Sequence, residues 1–299
     1  MHKIVDLGIH EIDVYDLEVE GCHNFFANDI LVHNSVYYQI QPYMDRYLKS
    51  HDLDLKGKID FCVRFADKVT QPIIDKAIGD FTSDLNAYDP SFCGCKREIV
   101  ADALVHCDKK RYYGRIRVDE ATEFPLDEPH IKITGLEIVR STTPKFTVTK
   151  INEAIDLLFD ADEDTLKAWI AEMRKEFETA KIDDIAMIGS CSNLDTKSKA
   201  TPIGVRASVV YNDFIQKQNL TGRFNPIQPN EKTKRVYLKT PNVFNSNIIA
   251  YLDTAFAEEY LRKVVDLDTM FDKGFLSAVK IMANPLNYNL NSTVIVDEW

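Results

Sequence analysis

The sequence predicts an α+β chain: short β segments first, then a mixed stretch with antiparallel strands, then a mainly helical part. Three observations carry this. Residues 13–20 set Val14, Tyr15, Leu17 and Val19 against Asp13, Asp16, Glu18 and Glu20, close to the two-residue period of a strand. Residues 95–107 and 111–118 read as strands, and 129–145 adds another that turns at Gly135. Residues 56–81, 149–180 and 253–282 repeat apolar side chains every three or four positions, the period of amphipathic helices.

Taken in order, the alternation at 13–20 leads into CHNFFANDILVHN, a second short β stretch that ends abruptly at Asn34-Ser35. SVYYQI then starts another strand. The helix over 56–81 carries Ile59, Val63, Ala66, Val69, Ile73, Ile74 and Ile78 on its apolar face, and Pro72 should kink or split it. In 149–180, Asp162 or Asp164 can cap the second helix, with Leu166, Trp169, Ile170, Met173 and Phe177 on one face. GSCSNLDTKSKATP (189–202) is polar and turn-rich, a loop. The last amphipathic stretch carries Phe256, Tyr260, Leu261, Val264, Val265, Met270, Phe271, Phe275, Val279 and Met282.

The 299 residues suit two domains. Hydrophobic residues at 45% and charged residues at 28% allow a packed core and exclude wholesale disorder. No stretch approaches the roughly 20 apolar residues of a membrane span, so no membrane partner is expected. MHKIVDLGIHEID lacks the layout of a secretory leader. Six scattered cysteines are too sparse for a disulfide framework, so a reduced cytoplasmic setting is expected, the host cytoplasm if the source is viral. Cys93-Gly94-Cys95 has no second pair at zinc spacing, and no metal ligand set is expected in this chain.

The net charge of −11 argues, as a total, against nucleic acid. Its distribution points the other way. Residues 1–34 hold one basic and seven acidic side chains, and 160–188 hold four and nine. Residues 96–117 hold seven basic and three acidic, and KTKRVYLK (232–239) holds four basic and none acidic.

The end of the first segment gathers unusual chemistry. An Asn side-chain nitrogen can attack its own backbone carbonyl and cut the chain behind it, and neighbouring histidines speed this by proton transfer. Ser35 beside that bond is a hydroxyl nucleophile able to carry an acyl group. VYDLEVEGCHNFFANDILVHN followed by Ser resembles the C-terminal motif blocks of inteins, the self-excising elements of the HINT fold. Met1 lies only 33 residues before Asn34, so residues 1–34 are expected to be the C-terminal piece of a split intein acting with the N-terminal half as partner. The resemblance implies that Ser35 receives the upstream polypeptide, Asn34 cyclises with help from His33, and His23 with Asp16 activates the junction, with no cofactor. Cys22 departs from the scheme, which needs no thiol there. The acidic charge of the piece implies a basic partner half.

Residues 35–299 carry a second resemblance. SVY at the junction looks like the tail of DTDSVY, the metal-binding hairpin of family B DNA polymerases. DKKRYYGRIRV and HIKITGLEIVRSTTPK resemble the KKRY segment and the following palm-to-thumb passage of T-even-phage-type replicative polymerases. The resemblance implies that 35–140 is the C-terminal part of the palm and 141–299 the thumb and tail. It implies that Lys110 reaches the minor groove near the primer end, that Tyr112 meets the primer backbone, and that Lys109 and Arg111 add charge or support. Glu98, in KREIV, resembles a palm carboxylate near the family's metal site, although Lys96 stands where the family's phage members have an Asp. Glu98 is read either as an accessory carboxylate or as a salt-bridge partner of local cations. Arg206, Lys232, Lys234 and Arg235 are expected to meet phosphate. The two metal-holding aspartates would lie in the upstream partner, so magnesium is expected after assembly, bound mainly by that chain. Primer-template DNA and deoxynucleotides are the implied ligands. The tail STVIVDEW lies where such polymerases dock on a sliding clamp, but lacks the usual aromatic pair.

The chain therefore reads as the C-terminal half of a split DNA-directed DNA polymerase, joined to its N-terminal half by trans-splicing. The rival is a non-catalytic DNA-binding polymerase subunit that assembles without splicing, and a remoter one is an autoprocessing module with unrelated cargo.

Overall fold

A computed structural model describes residues 24–27, 30–33, 46, 52–84, 94–194 and 201–290. The expected strands at 13–20 and 35–40 lie outside the described residues. Among those described, helices and antiparallel sheets mix as expected for an α+β chain. They form two compact units. One holds the residues up to Asp102 together with Ile116–His130; the other holds Ala103–Arg115 and the residues from Ile131 on.

In the first unit, β1 (Asn24–Ala27) and β2 (Ile30–His33) form an antiparallel hairpin. Asn24 stands opposite His33 and Ala27 opposite Ile30. Helix α1 (Leu55–Phe65) is capped by Asp54, whose carboxylate accepts from the Gly57 amide at 2.7 Å. A wide π turn, Ala66–Thr70, joins it to α2 (Gln71–Asp84). Pro72 divides the α-helical register as expected, yet the chain stays helical. Its ring would crowd the carbonyl four residues back, and the wider turn just before it gives the local adjustment that relieves such crowding. Arg97 holds this run in place, with Nε 3.3 Å from Asp67 and Nη2 donating to the Glu120 carbonyl at 2.8 Å.

A four-stranded sheet contains β3 (Ile99–Asp108), β4 (Arg111–Asp119), β5 (Thr122–Glu123) and β6 (His130–Thr134). β4 pairs with all three others. Side chains on both of its faces are buried, including Tyr112, Tyr113, Ile116 and Val118. Arg117 is buried there too, only 4% exposed. Its Nε and Nη2 donate to Asp102 at 3.1 and 2.8 Å, and its Nη1 to the Leu126 carbonyl at 2.8 Å. A charge in that position is tolerable only because its donors are matched.

The second unit contains α3 (Lys145–Glu153), α4 (Ile155–Asp160), α5 (Glu163–Thr179), α6 (Ile182–Ile185), β7 (Met187–Gly189), α7 (Ile203–Lys217), β8 (Thr233–Tyr237), β9 (Ile248–Tyr251), α8 (Thr254–Phe256), α9 (Leu267–Phe271) and α10 (Ser277–Ala283). Strands β7, β8 and β9 make an antiparallel sheet in that order, with α7 packed on β9. Of the two candidate caps, Asp162 takes the role, accepting from the Thr165 amide at 2.8 Å. Its helix buries Leu166, Ile170, Met173 and Phe177.

The core is aromatic. Phe146, Phe177, Phe271 and Phe275 meet largely edge-on, and Tyr211, Phe224 and Phe256 form a second such group. The stretch 253–282 is broken where one helical run was expected. The Lys239 amide donates to the Val264 carbonyl at 2.8 Å and the Asp266 amide to the Tyr237 carbonyl at 2.9 Å, so these backbone groups extend the β8 ladder instead of a helix. Asp266 then caps α9 through Thr269.

Removing one partner of the Arg117–Asp102 pair should be costly. Asp102→Ala is expected to lower unfolding free energy by about 3 kcal/mol, and Asp102→Leu combined with Arg117→Met to recover most of that loss. Urea denaturation of the native chain and these variants measures it.

Candidate nucleic-acid interface

Strands β3 and β4 are joined by a two-residue turn, Lys109-Lys110. Asp108 shapes it, accepting from the Lys109 amide at 2.8 Å and facing Arg111 at 4.0 Å. Lys110 has a φ of 55°, uncommon for a residue with a side chain. The neighbouring bend is matched to it. Gly135 has a φ of +67°, and a Cβ there would collide with the Lys110 carbonyl oxygen. Only glycine lets the backbone come so close.

The turn presents Lys109 and Lys110 as exposed cations, with Arg111 half-buried. Tyr112 is buried, its ring 5.9 Å from that of His106. Behind it Tyr113 is fully buried, and its hydroxyl lies 3.2 Å from the carbonyls of both Leu158 and Met282. Burial raises the phenol far above its ordinary value, so it stays protonated. Beside the turn is an open groove of about 470 Å³, lined by Cys107, Asp108, Arg111, Lys280, Ile281 and Asn284. Burial, with Asp108 adding to it, pushes the Cys107 thiol up to about 11, so it is no nucleophile at neutral pH. Lys280 gives no motif signal in the sequence, where it is one polar residue of an amphipathic run. Its place beside Arg111 comes from packing.

Three other cations of 96–117, Arg97, Arg115 and Arg117, are engaged structurally, while Lys96 is exposed. Arg115 grips Asp160 with two bonds of 3.1 Å and lies over the Phe159 ring at 5.1 Å. Arg97 and Arg117 hold the contacts already described. Glu98 is exposed, and its carbonyl accepts from the Glu120 amide at 2.6 Å. Among the described residues, no group of three or more His, Cys, Asp or Glu could hold a metal ion.

The second expected group falls on α7 and β8. Arg206 is exposed in the first turn of α7, and Lys232 is exposed just before β8. Arg235 lies against two glycines: a Cβ on Gly189 would meet its Nη2 at 2.7 Å and one on Gly204 its Nη1 at 3.1 Å. Lys234 is turned instead to Asp183, at 2.5 Å. Asp183 also accepts from Tyr251 at 2.9 Å and from Thr254. Burial alone would raise the Asp183 carboxyl, but the bonds from Lys234, Thr254 and Tyr251 outweigh it and hold the group below its ordinary value.

His33 is described only as the β2 residue opposite Asn24. Asp16, His23, Asn34 and Ser35 lie outside the described residues, as does the tail 292–299.

Because the folded-state value of Asp183 is depressed, its contribution is present above the unfolded carboxylate value, about 3.9, and is lost as pH falls through the lower folded value. Asp183→Asn is expected to destabilise the chain by about 2 kcal/mol at pH 7. That gap should narrow as pH drops below about 4. Chemical melts of both proteins across pH check this.

The chain matches no protein-family model. It is similar to the DNA-directed DNA polymerase of Enterobacteria phage T4, with 22% identity over 271 residues, covering 85% of this chain and 29% of that polymerase. It is likewise similar to the DNA-directed DNA polymerase of Escherichia phage RB69, with 24% identity over 272 residues, covering 83% of this chain and 30% of that one. The chain spans about 30% of the length of these curated relatives. Over most of its length, then, it is a distant relative of phage DNA polymerases.

Proposed function

We propose that this chain is the C-terminal portion of a family B DNA-directed DNA polymerase, joined to an upstream portion by trans-splicing through residues 1–34. The observation that carries the polymerase reading is the similarity to two phage polymerases over more than four fifths of the chain. The exposed Lys109-Lys110 turn with Arg111 beside it supports it, because sequence-blind contact with a duplex needs cations that reach solvent. Arg206, Lys232 and Arg235 supply a second set of phosphate contacts, while Lys234 supports the sheet through Asp183.

Residues 35–140 form the rest of the palm and 141–299 the thumb, with primer-template DNA and deoxynucleotides as ligands. Magnesium would be held mainly by aspartates of the upstream chain, with Glu98 as an accessory, and would supply activation of the primer hydroxyl and stabilisation of the leaving pyrophosphate. Lys110 reaches the minor groove, whose acceptors are nearly the same for every base pair.

The splicing reading rests on the motif at 14–35. The hairpin pairing Asn24 with His33 supports it, since this places the two strand ends that lead to His23 and Asn34 side by side. An upstream Cys or Ser holds the upstream polypeptide as a thioester or ester. Ser35 Oγ attacks that acyl carbon and expels the first nucleophile. The Asn34 side-chain nitrogen attacks its own carbonyl, the bond to Ser35 breaks, and His33 protonates the leaving amine. That amine then takes the acyl group from Ser35 Oγ, leaving an ordinary peptide. His23, with Asp16, activates the junction.

Mixing the full chain with the upstream polymerase segment encoded in the same genome should yield a ligated product and a freed intein, both seen by mass. Asn34→Ala combined with Ser35→Ala should abolish them. Association without ligation would favour the non-catalytic subunit instead. Independently, changing Lys109, Lys110 and Arg111 to Ala should reduce the slope of log affinity against log salt by about 2–3. Fluorescence anisotropy on a labelled primer-template measures it; an unchanged slope would remove the turn from the interface.

A further inference from the structure

The second half of the long helical run in the first unit carries an apolar row that no described residue covers. Ile73, Ala77 and Phe81 stand four apart on α2, so they form one line along the helix. Ile73 is 64% exposed and Phe81 42%, and Val69, in the turn leading into the helix, is 45% exposed. Ala77 is exposed as well. The neighbouring row, Ile74, Ile78 and Thr82, runs from half-buried to fully buried. The apolar face of α2 is therefore wider than its cover among the described residues. On its other side the open row is edged by Lys76 and Asp80, both exposed.

Single exposed apolar residues are ordinary, but a continuous line with a polar rim has the anatomy of an interface. The run is also anchored for the purpose. Gln71 Nε2 donates to the Cys95 carbonyl at 2.7 Å, at the start of α2. A rigid helix presenting fixed aliphatic and aromatic side chains loses little freedom on binding.

We propose that the row Val69, Ile73, Ala77 and Phe81 is the docking surface for the upstream polymerase segment, seated by apolar contact before any peptide link is made. This rests on the reading of the chain as a portion of a polymerase. Two observations choose that occupant. The chain spans about 30% of its relatives' length, so the larger part of such a polypeptide has to pack against this portion. Among the helices whose bounds the structure gives, the row also lies on the run nearest in sequence to Ser35, where the proposed reading joins the two portions. Docking here holds the ends together, which turns the ligation from a bimolecular encounter into a local one.

The test uses the full chain carrying Asn34→Ala and Ser35→Ala, so that binding is read without ligation. The probe is the upstream segment encoded in the same genome, followed by calorimetry. Ile73→Asp and Phe81→Asp are each expected to weaken association roughly tenfold or more, with an unchanged far-ultraviolet dichroism spectrum and melting temperature. Lys76→Ala, at the rim, should change it by less than about threefold. Equal affinity for all variants would overturn the proposal. So would self-association of the chain alone that Ile73→Asp abolishes, since the occupant would then be a second copy. So, too, would amide protection of α2 that is already complete without the partner. The splicing reading fails separately: unmodified chains that bind through this row yet never ligate would end it and leave the docking surface standing.

Discussion

The second unit is arranged around one buried hydroxyl. Tyr113 has no exposed surface, and its oxygen lies 3.2 Å from two carbonyls, Leu158 in α4 and Met282 in α10. A single proton serves both acceptors, so the geometry must hold three elements together at once. Tyr113 is two residues beyond Arg111, and its position fixes how the preceding turn leaves the sheet. The groove between that turn and α10 follows from the same constraint. Gly135 completes it from the other side by admitting the Lys110 carbonyl where any side chain would collide.

Charge is used in two ways along the same strand pair. Arg97, Arg115 and Arg117 are paired with Asp67, Asp160 and Asp102, so they hold the structure rather than offer a field. The lysines at the tip stay in contact with solvent. This division suits the physical properties of the two side chains. The rigid planar fork of Arg makes several bonds within one pocket, whereas the hydrated Lys ammonium on a long stem reaches outward. The same division appears reversed on β8, where Lys234 is drawn to the carboxylate of Asp183 and Arg235 is laid across two glycines.

Much of the fold was legible from local pattern. The β3 and β4 strands, the bend at Gly135, the cap at Asp162 and the helical faces of α5 all appear where periodicity and residue type put them, because each depends on neighbours within a few positions. The broken stretch at 262–266 was not legible. Its apolar spacing is helical, and it is buried as that spacing implies, but the backbone of Val264 and Asp266 bonds to residues near 237–239. A partner that far away leaves no mark on a local period. For the candidate site, the cationic residues could be named from composition and motif, while Lys280 could not.

By itself, the sequence determined the β3 and β4 strands and most of the described helices, where charge concentrates, and which motif stands at Asn34-Ser35, all of them properties of adjacent residues. Tertiary structure decided which of those charges stay exposed. Whether an arginine meets a carboxylate or solvent depends on residues far along the chain, 45 positions for Arg115 and Asp160 and 98 for Arg174 and Asp272, and only packing brings such pairs within bonding distance. It likewise decided that α2 keeps one apolar row exposed, since exposure is set by what lies over a helix and not by the residues in it.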